Sequence, residues 1–204
     1  MVASVSSPAD VINLALVRIG YKKRIGDLYD GSEAAKHALT IYAQTRDEML
    51  RQFGWGFAER SVTMTLLKQA PPGGYVPPVT WSTAYPVLPW RYEYAYPDDC
   101  LEVRSVRQVP ALLFNPDPQA QLFSVDNDYS LSPPAKVVLC NIANAVLVYT
   151  GQITDPTTWE ADFVEAFAAA LGRRLAPSLV GLDPAKMEAQ DEAAAKAIAE
   201  LGEG

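Results

Sequence analysis

Apolar residues recur every three to four positions along two early stretches of the chain. Val11, Leu14, Ala15 and Ile19 mark the first, and their spacing predicts a helix over 8–19. Ser7 suits its cap, Pro8 its first turn, Asp10 a capping partner and Gly20 its stop. Ala35, Leu39, Tyr42, Met49 and Phe53 mark a second helix over 31–53, with Arg46 the exception on that stripe. The two helices are expected to pack antiparallel as a hairpin. The second runs into Phe53-Gly54-Trp55-Gly56-Phe57. Large rings around two glycines predict a tight corner, with Phe53, Trp55 and Phe57 as structural anchors in a core.

The period then changes to two. Val62, Met64 and Leu66 alternate with polar residues, as do Tyr92, Tyr94 and Tyr96, and Leu101, Val103 and Ser105 continue the pattern. Further short strands are expected at 111–114 and 122–125, and a final hairpin at 136–141 and 145–150, where the valine content favours strands over a helix. Between the first two strands runs a Pro/Gly-rich excursion from Pro71 to Pro89 without any period, carrying Tyr75 and Trp81 and followed by Trp90. It is too long for a turn, so it reads as a functional loop or one ordered by a neighbour.

A third helix is expected over 156–176, capped by Asp155 or by Thr157 with Glu160 as a capping box, and ended by Pro177. Trp159, Phe163, Phe167 and Leu171 share one face, with Trp159 and Phe163 as anchors. Asp183-Pro184 restarts a helix whose apolar stripe is only Met187, Ala194, Ile198 and Leu201. A seam that thin reads as a docking arm over 183–204. The whole is an α+β chain: a helical hairpin, a block of short antiparallel strands over 60–150 and C-terminal helices, forming one domain over 1–182 followed by the arm.

Size and composition fit this picture without sharpening it. The chain has 204 residues, 49% hydrophobic and 20% charged, the balance of a globular domain. Its first ten residues lack the basic and apolar regions of a signal peptide, and no run is long enough to span a bilayer. Cys100 and Cys140 are too few and too far apart for a disulfide scaffold or zinc site, and are expected as buried thiols in a cytoplasmic setting. The net charge of −7 is uneven: residues 155–204 hold ten acidic and four basic residues, whereas 1–60 hold seven and eight. That balance argues against tight nucleic-acid binding, which needs Lys and Arg to displace counterions.

Candidate chemistry is sparse. His37 is the single histidine, with no carboxylate or cysteine at metal spacing, so a packing or surface role outweighs a catalytic one. Asp98 and Asp99 follow Pro97, and adjacent residues of a strand face opposite ways, so the pair reads as turn residues. The tyrosine series could stack sugars or bases, but a covered sheet face is the simpler reading. Lys22-Lys23-Arg24 reads as a solvated loop, or as a contact for an acidic partner or phosphates. No P-loop, dinucleotide fingerprint or EF-hand spacing occurs. No catalytic, cofactor or metal residue is assigned. The aromatic and narrow apolar faces suit a subunit that is completed by its neighbours.

In this order, four segments resemble the head-to-tail adaptor family of tailed bacteriophages, called tail tubular protein A in some short-tailed phages. They are VINLALVRIG at Val11–Gly20 followed by Ile25-Gly26-Asp27-Leu28; Tyr42–Ala58 with its RDEMLRQFGWGFA core; Tyr92–Val106 with YPDDCLEVRSV; and Val148–Ala176 with VYTGQITDPTTWEADFVEAFAAALGRRLA. The resemblance implies a non-enzymatic virion protein at the head–tail junction, assembled in the host cytoplasm. It implies a homo-oligomeric ring, typically of twelve copies, between the portal protein and the tail nozzle or tail tube proteins. Double-stranded DNA passes through such a ring transiently, with no cofactor and no membrane involved. The helices are implied to form the annulus and reach the portal, which places the arm residues Met187, Ala194, Ile198 and Leu201 there. The strand block is implied to face the tail, with Tyr75, Trp81, Trp90, Tyr92, Tyr94 and Tyr96 as its contacts. A carbohydrate- or receptor-binding tail module using Trp81, Trp90 and the three tyrosines is the alternative.

Overall fold

The computed structural model describes residues 6–75, 78–108 and 122–181. Within them the chain is α+β, with three α-helices and two antiparallel sheets. The expected arm over 183–204 and the expected strand at 111–114 lie outside the described residues. The stretch expected as one domain divides into two compact units: residues up to Phe53 together with those from Ile153 onward, and Gly54–Gln152.

The first unit is helical. Helix α1, Pro8–Arg18, starts where Ser7 accepts a bond from the Asp10 amide, and the Asp10 carboxylate accepts from Ser6 and Ser7 in return. Those bonds hold the Asp10 carboxyl below its ordinary pKa. The chain leaves the helix through Gly20 at φ 73°, a left-handed turn that costs glycine little. Helix α2, Glu33–Gln52, is capped by Ser32. Helix α3, Ala161–Val180, begins five residues later than expected, because Asp155 caps a separate 3-10 turn at Pro156–Thr158 and Glu160 makes no side-chain cap. It also runs through Pro177 and stops at Gly181, φ 66°. Proline removes one backbone donor, which is tolerable so close to the helix end.

The expected pairing of the first two helices is replaced by a shared partner. Helices α1 and α2 make their main helix contacts with α3 rather than with each other. Ala15 lies against Gly172 and Arg18 pairs with Glu165, so α1 runs antiparallel to α3. Tyr42 meets Phe167 and Glu48 pairs with Arg174, so α2 runs parallel to it. A methyl group on Gly172 would lie 3.1 Å from the Ala15 carbonyl oxygen, a closeness that only glycine permits at no cost. Trp159, Phe163 and Phe167 form a buried aromatic triad with ring centroids 5.1–5.8 Å apart. On α2 the buried stripe is Ala34, Ala35, Ala38, Tyr42, Thr45, Arg46 and Leu50, whereas Leu39 and Phe53 are exposed. The stripe turns because small side chains, not the largest ones, let a neighbouring helix come close.

The second unit is built of strands. Strands β1 (Glu59–Thr63), β7 (Ala145–Gly151) and β4 (Cys100–Gln108) form one sheet in that order. Strands β2 (Leu66–Gln69), β3 (Tyr92–Ala95), β6 (Ala135–Cys140) and β5 (Phe123–Asp128) form the other. Both sheets bury residues into one cluster, including Met64, Tyr94, Val138, Val106 and Leu147. Two local expectations change here. The alternation from Val62 to Leu66 is not one strand: it breaks at buried Met64, and β1 and β2 enter different sheets. Likewise β6 and β7 are not a hairpin, since each pairs with strands elsewhere.

Candidate assembly surfaces

The Pro-rich excursion folds on itself. The Ala70 amide bonds to the Arg91 carbonyl and closes its base at 2.8 Å. The Trp81 indole N–H donates to the Pro86 carbonyl at 2.8 Å, and Tyr75 and Tyr85 meet edge to face at 5.7 Å. Backbone turns at Pro71–Gly74, Ser82–Tyr85 and Val87–Trp90 satisfy further amides. Its outer surface carries Val79, Trp81, Val87 and Leu88, Trp81 exposed by 45%, interleaved with exposed Thr80, Ser82 and Thr83. Trp90 and Tyr75 are half-buried.

The tyrosine series does not form a continuous outward strip. Tyr94 is buried, and its hydroxyl donates to the Ile142 carbonyl at 2.7 Å. Tyr92 and Tyr96 pack partly buried against the same core, and the Lys136 ammonium lies over the Tyr96 ring. Tyr94 is therefore a core residue and not a surface contact. Strand β3 sits between β2 and β6, so one of its faces must supply the core.

The aromatic corner also differs from its expected role. Phe53, which caps the end of α2, is 51% exposed, and Trp55 and Phe57 are half-buried with rings 6.3 Å apart. Ala58 is the buried residue of the turn. Beyond Gly54, what ties the corner down is Arg104 of β4. Its guanidinium donates to Thr150 Oγ1 at 2.9 Å and Glu59 Oε2 at 3.1 Å, and reaches the Trp55 carbonyl at 3.5 Å.

Asp98 and Asp99 occupy a turn closed by a bond from the Cys100 amide to the Pro97 carbonyl. Asp98 is exposed. Asp99 pairs with Arg60 and accepts from the Tyr149 hydroxyl at 3.0 Å. Arg60 lies directly over Gly151, where an added methyl would meet its Cδ at 2.7 Å. This carboxylate is a fastening between the turn and β1, with both partners engaged. His37 is half-buried on α2, and Lys22, Lys23 and Arg24 are exposed. Cys100 and Cys140 are buried thiols, and burial pushes both pKa values up, away from nucleophilic use. Among the described residues no group of three or more His, Cys, Asp or Glu could hold a metal ion. No described helix is long and apolar enough to cross a membrane.

Sequence reasoning missed two polar clusters of the β unit: Arg60–Asp99–Tyr149, and Lys68 with Glu93 and Asp128. Their members are 25 to 89 residues apart in the chain, and only strand register brings them together. No protein-family model matches this chain, and no curated protein matches it.

Proposed function

We propose that the chain is a head-to-tail adaptor subunit of a tailed phage. In this reading it is a non-enzymatic virion protein whose ring joins the portal to the tail and relays the DNA channel. The four segments that carry the resemblance fall on α1, on the end of α2 with its corner, on β3 and β4, and on β7 with α3. The observation that carries the reading furthest is the open surface of the β unit. Every residue of β1 is exposed, Val62 included, and Leu66 and Leu67 of β2 are exposed as well. Both strands are sheet edges, so their outer backbone groups have no strand beyond them within the described residues. A closed head-to-tail ring covers both flanks of every subunit and would use such surface.

The role needs no cofactor and no catalytic group. The acidic balance keeps duplex DNA from adhering as it passes. The 183–204 arm, through Met187, Ala194, Ile198 and Leu201, docks on the portal. Particle mass measured with and without the cognate portal tests the whole reading. A ring on the portal is expected, and a monomer unchanged by portal would overturn it. Deleting 183–204 is expected to leave a folded subunit that no longer joins portals. A glycan array bound through Trp81, with no portal association, would favour the carbohydrate-binding tail module instead.

A further inference from the structure

One buried charge cluster has no part in the assembly reading. Lys68 of β2 points its ammonium between two carboxyls. It pairs with Asp128 at the end of β5, and lies 3.4 Å from Glu93 Oε1 of β3. The side chains are 12%, 12% and 2% exposed for Lys68, Asp128 and Glu93. Ser130 completes the group: its amide and hydroxyl each donate to Asp128 Oδ1 at 2.8 Å, and Lys68 Nζ lies 2.9 Å from its oxygen. On the other side of β3, the β6 residue opposite Glu93 is Leu139, which carries no charge. Lys136 of β6 is committed to the Tyr96 ring, and Arg91 beside the cluster is exposed. One cation therefore faces two carboxyls in a site nearly closed to water.

Charge balance decides the protonation state. With both carboxyls ionised the cluster would hold a buried net negative charge, which is costly in a poorly solvated site. With one proton retained it is neutral. Asp128 has the close ammonium and both Ser130 donors, so it is the ion. Glu93 is the more buried, and its Oε1 has no hydrogen bond, only the ammonium at 3.4 Å, so it is the carboxyl that keeps the proton. We propose that this cluster is a proton-operated clamp: Glu93 is held as the neutral acid, and losing its proton loosens the β2–β3 pairing beneath the 70–91 excursion.

The location gives the clamp its leverage. Lys68 pairs in register with Glu93, Gln69 with Tyr92, and Ala70 bonds to Arg91 at the excursion's base. The clamp is thus two residue pairs below the loop that presents Trp81. The pKa directions agree. Burial, and then the bond to Asp128, raise Glu93, while burial of Asp128 is outweighed by its bonds from Lys68 and Ser130, which hold it low. A carboxyl raised in the folded state contributes stability that is complete below its unfolded pKa and is lost as pH rises through the folded value. Asp128, depressed on folding, loses its contribution only in acid, so the two act in separate windows.

Infrared spectroscopy of the full chain tests this directly, read from about pH 6.5 to about pH 9, where ordinary glutamates and aspartates are already ionised. The wild type is expected to show a protonated-carboxyl stretch at the acid end that fades as pH rises. Glu93→Gln is expected to lose the band. Asp128→Asn is expected to lose it too, although Glu93 remains, because one cation then faces one carboxylate. Over the same range, amide exchange at Ala70 should accelerate beyond its intrinsic pH dependence in the wild type, but not in Glu93→Gln. No band in the wild type, a band surviving in either variant, or identical exchange profiles would overturn the clamp. The wild-type titration alone decides the protonation state if the variants fail to fold.

Discussion

The ion pairs that join the helices and the Lys68 cluster of the strand unit handle charge in opposite ways, although each unit also holds a pair of the other kind, Arg46–Asp47 enclosed on α2 and Arg60–Asp99 partly open beside β1. In the helical unit, the pairs Arg18–Glu165 and Arg174–Glu48 lie at the rim of an apolar core, with side chains 38–61% exposed. In the strand unit, Lys68, Glu93 and Asp128 are almost fully enclosed. Helices satisfy their backbone internally, so their contacts are free to be apolar rings and alanines. A two-sheet unit with short strands and open edges ties distant chain segments together with polar fastenings instead. Stability in the first unit should follow shape, and in the second it should follow charge.

Four substitutions break or sharpen that contrast. The largest effect is expected from Phe167→Ala, which removes a ring that touches Tyr42, Trp159 and Phe163 at zero exposure. It should cost about 3–5 kcal/mol in urea denaturation followed by helical circular dichroism. Lys68→Met strips the cation from two buried carboxyls and should cost about 3 kcal/mol at neutral pH, with part recovered in acid as a second proton enters. A pH-independent loss would mean that packing, not charge, was removed. Ser7→Ala deletes the α1 cap and should cost about 1 kcal/mol by the same denaturation. Glu165→Gln breaks an exposed pair and should cost under about 1 kcal/mol, vanishing in high salt. A Glu165→Gln cost matching that of Lys68→Met would erase the distinction between the units.

The helices were legible because their signals are local. Ser7, Pro8, Asp10 and Ser32 act within one turn of their own helices, and a three-to-four spacing survives any tertiary arrangement. The face of α2 was less so. Leu39 and Phe53 are large and apolar yet exposed, while Ala34, Ala38 and Thr45 are buried, because closeness of approach and not side-chain size selects what α3 covers. Strand positions could be read from alternation, but sheet membership could not. Nothing near Met64 says that the chain changes sheets there, and nothing near Asn141 says that β6 and β7 part company. Of the surface residues, Trp81 could be recognised from its loop, while Tyr94 lies on the covered sheet face that its alternation suggested and only the family resemblance put it among the tail contacts. Glu93 gave no sign of burial, since its partners come from two other strands.

The interleaving of the strands has a consequence for how the protein can be cut. The chain visits the three-stranded sheet, leaves at Met64 for the other, returns at Cys100, departs again before Phe123 and comes back at Ala145. No single contiguous fragment contains one complete sheet without strands of its companion. A cut anywhere between β2 and β6 therefore divides both sheets at once, whereas one at Met64 or between β6 and β7 detaches a single strand of the three-stranded sheet.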